Sequence, residues 1–161
     1  MSTTSAAQDS ADNWNDTAPT ATVFTVNTNV AVNVDDELYV AYCFHSVDGF
    51  SKMGFYTGNE AGAEHKPFVH TGFRPAFILL KSHTNGEQWV LYDTTRETTN
   101  PHEEVFLPAT FNAEQDSAVN MIDILSNGFK LRGTDDRINN DGSGYIYLAF
   151  AETPFKYANA R

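Results

Sequence analysis

The stretch Gly144-Tyr145-Ile146-Tyr147-Leu148-Ala149-Phe150-Ala151-Glu152 constrains this chain more than any other. Aromatic and β-branched residues crowd it, a glycine opens it and Pro154 closes it, which is the pattern of a strand. Side chains alternate across a strand, so Tyr145, Tyr147, Ala149 and Ala151 share one face and Ile146, Leu148, Phe150 and Glu152 the other. Both faces are largely apolar. The expectation is a central strand in a sheet covered on both sides.

The strand has an echo near the other end of the chain. Tyr39-Val40-Ala41-Tyr42-Cys43-Phe44 matches Tyr147-Leu148-Ala149-Phe150-Ala151-Glu152 position for position. Upstream of each lies a second match, Val23-Phe24-Thr25-Val26 to Gly128-Phe129-Lys130-Leu131, followed in both cases by a polar turn rich in Asn and Asp. The same hairpin is therefore written twice, either by duplication or as two similar core strands.

Turn signals divide the rest into short strands. The first hairpin is expected over residues 22–26 and 38–45, with Asp35, Asp36 and Glu37 at its turn. Further strands follow at 51–57, 68–70, 76–81, 88–93, 103–107, 121–125, 129–132 and 144–152. Residues 109–120 have room for a helical turn, and 134–144 form an Asp- and Asn-rich loop. About ten short strands with little helix define an all-β antiparallel β-sandwich, jelly-roll-like. Residues 1–16 are small and polar and read as a flexible N-terminal arm, with Trp14 as its anchor on the domain or on a neighbouring subunit. Residues 17–161 form a single β-sandwich domain.

A chain of 161 residues, 41% apolar and 13% aromatic, is long enough for a packed core. Its formal charge of −11 argues against nucleic acid as a partner, since neutralising phosphates takes clustered Lys and Arg. Cys43 is the sole cysteine, so no internal disulfide forms, and its apolar neighbours suggest a small core residue. Residues 1–12 have neither a basic nor an apolar region, which predicts no signal peptide. No apolar run approaches a membrane span, so no membrane insertion is expected.

Catalytic signatures are missing: no nucleophile elbow, no HExxH, no phosphate-cradling loop and no CxxC pair. No enzyme activity and no cofactor is expected. The histidines His45, His65, His70, His83 and His102 match no metal spacing and read as surface or turn residues. Asp135, Asp136, Asn139 and Asp141, with Gly142, offer oxygens that a hard cation such as calcium takes, but without EF-hand order; the plainer reading is a solvated Asx-rich turn. Paired acids for sugar hydrolysis have candidates in Asp93, Glu103 and Glu104. Phe55, Tyr56, Trp89 and Tyr92 are candidates for a sugar-stacking face, against the alternative that they fill the core. Arg74 and Arg96 suit ion pairs or loop clamps.

Several strings then occur together in one order: residues 49–59 (GFSKMGFYTGN), 68–77 (FVHTGFRPAF), 126–132 (SNGFKLR), 145–152 (YIYLAFAE), 154–157 (PFKY) and Asn159-Ala160-Arg161. This series resembles an uncharacterised β-rich domain found at the C-terminal end of tail-fibre-like virion proteins of marine tailed bacteriophages. The resemblance runs from Trp14 onward. Such domains often stand in tandem, and residues 17–45 resemble the end of a preceding copy. It implies a phage virion structural protein, a tail-fibre or other exterior component assembled in the host cytoplasm. It also implies a homo-oligomer, a trimer by analogy with fibres, that touches other virion proteins and a host surface glycan or protein. The alternatives are a polysaccharide-degrading or glycan-binding tail module and a capsid decoration or head-fibre protein. Contact then falls to loops, with Asn59, Glu60, His65, His83, Asn85, Thr94, Arg96 and Asn100 as the candidate residues.

Overall fold

The computed structural model describes residues 6, 10–60, 65–108, 110, 112–116 and 118–154. The chain divides into a larger compact unit containing Phe44–Arg161 and a smaller one, Ala7–Cys43. The expected tail beyond Pro154, the tip of the loop between Glu60 and His65, and parts of the arm and of the 109–120 stretch lie outside the described residues.

The described residues of the larger unit form nine strands: β1 (Ser51–Thr57), β2 (Phe68–His70), β3 (Pro75–Ser82), β4 (Val90–Asp93), β5 (Glu104–Val105), β6 (Gln115–Asp116), β7 (Ile122–Leu125), β8 (Gly128–Leu131) and β9 (Gly144–Ala151). Four of them form one sheet in the order β1-β9-β3-β4, three form a second in the order β2-β8-β7, and β5 with β6 makes a short ribbon. Every pairing is antiparallel. A single helical turn, α2 (Asp136–Asn139), interrupts the loop before β9.

The strand that dominates the sequence occupies the middle of the four-stranded sheet. β9 pairs along its length with β1 on one side and with β3 on the other. Tyr145, Tyr147 and Ala149 point into the core with Tyr56, Ile78, Leu80, Val90 and Tyr92. Opposite them lie Val69, Ile122, Ile124, Phe129 and Leu131 of the three-stranded sheet. The layers meet through aromatic edges: Phe129 sits 6.3 Å from Tyr56 and 5.8 Å from Tyr147 between ring centroids, both T-shaped. This is the antiparallel sandwich that the strand pattern implies. Tyr56 and Tyr92 are core residues, so the sugar-stacking alternative does not hold for them.

The outer face of β9 differs from expectation. Phe77, Leu79, Leu148 and Phe150 are only partly buried and Ile146 is exposed, so among the described residues of the larger unit this face is less covered than the core face. Phe44, Phe50 and Phe77 gather edge-on around Phe150 at 5.6–6.1 Å and shield one corner.

The smaller unit overturns the first hairpin. Residues 22–26 and 38–45 have β-type sequence but form no strand. A short helix α1 (Ala11–Trp14) is held by Asn27 and Asn29, whose backbone N–H groups donate to Asn13 O and Asp12 O at 3.0 Å each. Residues 10–16 are therefore tied to 27–29 rather than being a free arm. Trp14 ends this helix 47% exposed. Cys43, expected in the core, is exposed.

A candidate binding rim

Three loops meet at one end of the four-stranded sheet: the one leaving β1, the β3–β4 connection, and the one entering β9. They are laced by backbone bonds. Gly58 N–H donates to Ser143 O (2.8 Å), Gly142 N–H to Gly58 O (3.0 Å) and His83 N–H to Gly144 O (3.0 Å). Side chains add to the brace: Asn85 Nδ2 donates to Ser143 Oγ at 2.9 Å, and Thr84 Oγ1 accepts from Gly144 N–H at 2.8 Å. Asn139, fully buried, accepts from Asn59 N–H at 3.0 Å through Oδ1 and donates to Gly133 O at 3.1 Å through Nδ2. Gly133 O also accepts from Lys66 Nζ at 2.8 Å. Burial pulls the Lys66 ammonium below the usual lysine range, and nearby Glu60 opposes that shift.

Five of the contact residues expected from sequence converge here. Glu60 and His65 are exposed, Glu60 with a left-handed backbone (φ 42°). Asn59 Nδ2 donates to His65 O at 2.6 Å and so clips the base of the 60–65 loop. The exposed His83 ring lies against Gly144, where an added Cβ would collide with it. Asn85 is half-buried and braced as described. The rim thus presents polar side chains on a backbone held at several points, which lowers the ordering cost of binding a partner.

The other three belong to the opposite end of the sheet. Thr94 is buried, its N–H donating to Ala76 O, and is no contact residue. Asn100 spends both amide atoms on Ile124, accepting from its N–H and donating to its O at 2.9 Å each, so it imitates a strand neighbour of β7. Arg96 forms a forked pair with Glu114 (Nε–Oε1 2.9 Å, Nη2–Oε2 2.5 Å) and stacks over Phe106, 4.5 Å from the ring centre. Beside Phe106 lies a hollow of about 340 Å3 lined by Leu91, Phe106, Leu107, Pro108, Thr110 and Asn112.

The cation reading of the 135–141 loop meets a different arrangement. Asp135 accepts from the Arg137 backbone N–H (2.9 Å) and grips its guanidinium through both carboxylate oxygens (2.6 and 2.8 Å). Burial pushes the Asp135 carboxyl up, but its bonds to Arg137 outweigh this and hold it below the usual range. It caps α2, and no group of three or more His, Cys, Asp or Glu suited to a metal gathers among the described residues. His102 also departs from expectation. It is buried, with Nδ1 at 3.1 Å from Thr99 O and Nε2 without a partner among the described residues. Arg74 does form an ion pair, with Glu152 at 2.9 Å.

Gly58→Ala tests how tightly the rim is built. A Cβ there would run into Asn140 O and come within 3.0 Å of Asn139 C and Tyr145 Cε2. The obstacle is backbone, so two loops must part. The expected cost is about 1–3 kcal/mol in urea unfolding, with faster amide exchange at Asn59 and Ser143.

The fold and the rim define a two-sheet all-β domain with a braced loop end. The chain belongs to the DUF7483 family, described as a domain of unknown function, whose profile matches residues 1–154 and so spans both units. No curated protein and no solved structure matches it significantly.

Proposed function

We propose that the chain is a non-catalytic structural protein of a phage virion, displayed on the exterior as a homo-oligomer. It touches the host surface or a neighbouring virion protein through loops. The observation that supports this best is the rim, where Asn59, Glu60, His65, His83 and Asn85 stand on loops cross-braced by Asn139, Ser143 and Gly58. A preset polar surface on a stiff sandwich suits recognition without chemistry. A net charge of −11 fits an exposed position better than one lining packaged nucleic acid. The sequence resemblance supplies the virion setting. Density maps of the intact particle, with tagged chains located by gold labelling, are expected to place this fold outside the capsid shell or along the tail. Its absence from purified particles would end the proposal.

A glycan-binding or glycan-cleaving tail module is the second reading, favoured by the hollow at Phe106 beside the Arg96–Glu114 pair. Small-molecule sites are concave and mostly apolar or aromatic, with a few fixed polar groups that set orientation. New reducing ends on incubation with host exopolysaccharide would move the assignment to this side.

A further inference from the structure

Beneath the rim an amine and a carboxamide are held on one carbonyl. Lys66 Nζ donates to Gly133 O at 2.8 Å, and Asn139 Nδ2 donates to the same oxygen at 3.1 Å. Two nitrogens that share an acceptor at such lengths lie within about 6 Å of each other. Both residues are buried, Lys66 with 7% and Asn139 with none of its surface exposed. Arg74, Arg96, Arg132 and Arg137 each pair with a carboxylate, whereas no ion pair forms at Lys66 among the described residues. A buried ammonium held only by a carbonyl is poorly compensated, which is why burial draws Lys66 towards its neutral form. A neutral, desolvated lysine amine is a nucleophile towards carbonyl carbon.

The carboxamide is placed to receive it. Asn139 Oδ1 accepts from Asn59 N–H at 3.0 Å, so a backbone donor already stands where negative charge would collect. The chain on either side of Asn139 is fixed: Tyr56 donates to Ile138 O, and Asn140 N–H donates to Tyr145 Oη, at 2.7 Å each. Glu60 follows Asn59 and is the acid whose charge acts on Lys66.

We propose that Lys66 and Asn139 join through an isopeptide bond, Nζ to Cγ, with loss of ammonia. The Glu60 carboxylate takes one proton from the Lys66 ammonium, and a turn of the flexible lysine stem carries Nζ from Gly133 O onto Cγ. The freed lone pair forms the Nζ–Cγ bond while the carbonyl pair moves onto Oδ1, against Asn59 N–H. The carbonyl then re-forms and the Cγ–Nδ2 bond breaks. Nδ2 takes a second Nζ proton and the one held by Glu60, and leaves as ammonium. Atoms and charge balance without an oxidant or a cofactor. The bond fastens the 59–66 loop to α2 and closes a long loop that stays closed on unfolding. It does not depend on the proposed function. An amide does not titrate, so the pH effect of Lys66 belongs to the unlinked chain.

Intact-mass spectrometry of the full chain, after incubation in mildly alkaline buffer, is the test. The wild-type chain is expected to weigh about 17 Da less than its sequence, and a digest to yield a branched peptide joining Lys66 to Asn139. Lys66→Arg keeps the charge and a donor for Gly133 O but has no nucleophilic amine, and should keep the full mass. Glu60→Gln should form the bond at least about tenfold more slowly. Succinimide at Asn85-Gly86 or Asn127-Gly128 would remove the same mass, but it persists in Lys66→Arg and gives no branched peptide. Circular dichroism checks that each chain is folded. A folded wild-type chain of full mass overturns the proposal, as does a mass loss that Lys66→Arg leaves unchanged. An unaltered rate in Glu60→Gln overturns the part given to Glu60.

Discussion

Phe129→Ala is expected to cost about 3–5 kcal/mol and to lower the melting temperature by roughly 10 °C. Phe129 is fully buried at the centre of the three-stranded sheet, and its ring is the wedge between the layers, edge-on to both Tyr56 and Tyr147. Truncation removes most of an aromatic side chain from a site where backbone holds the neighbours. β8 is paired on both sides, with β2 and with β7, and so cannot slide inward to fill the gap. Gly128, next to it, has the backbone of Val69 so close that any Cβ there would meet Val69 O. The relaxation that makes some cavities cheap is blocked. Urea denaturation should show the midpoint falling with the slope unchanged. Phe129→Leu, which keeps part of the volume, should lose distinctly less. A loss below about 1 kcal/mol for the alanine variant would mean that the layers do not meet through this ring.

The placement of Phe129 shows which features of the fold could be read from sequence. The alternation in 145–151 determines which residues line the core, and the surrounding turn signals place β1, β2, β3, β7 and β8 within a residue or two. Two-residue periodicity is local, and the chain states it plainly. Partnership is not local. Residues 38–44 have the β9 pattern yet pair with nothing in the described structure, because a strand pattern says what can be paired and not whether the neighbouring strands are at hand. Long-range polar contacts are equally silent: nothing near Asn100 announces that its amide will bridge to Ile124, or that Asn139 will reach Asn59 across 80 residues. The rim was half-legible for this reason. The expectation that contact falls to loops names Asn59, Glu60, His65, His83 and Asn85, but the braces at Gly58, Asn139 and Ser143 depend on which loops the sheet order brings together. His102 lacked any signal. Its burial comes from a backbone bridge to Ile122 that composition does not encode.

The tyrosines on the core face set a sharp alkaline limit. Burial raises the phenol pKa of Tyr56, Tyr92, Tyr145 and Tyr147 above the ordinary value near 10, and pushes Tyr145 up to about 12. Three of these hydroxyls also donate inside the protein: Tyr56 to Ile138 O (2.7 Å), Tyr92 to Asn120 O (2.6 Å) and Tyr145 to Asp136 O (2.6 Å). A phenolate cannot donate, so ionisation would break each bond. Below about pH 10 both folded and unfolded chains keep these protons, and the stabilisation is fully present. As pH rises further the unfolded chain ionises first, and every raised tyrosine draws the equilibrium towards unfolding. Tyr145 alone removes about 2 kcal/mol by pH 12. Tyr56, Tyr92 and Tyr147 act in the same direction, so the loss steepens as the pH rises. Lys66 and Lys81 act in the opposite sense. Burial lowers both, so stability rises with pH as the folded state sheds their protons, and this gain is complete once pH passes the ordinary lysine value. The tyrosines outnumber them and take over above that point. Absorbance at 295 nm should therefore show these phenols ionising late, in one cooperative step that coincides with loss of the circular dichroism signal. Tyr92→Phe should move that step to higher pH once its own cost at neutral pH is subtracted. Smooth, independent ionisation of all the tyrosines near pH 10, with the fold intact, would contradict the packing of the core face.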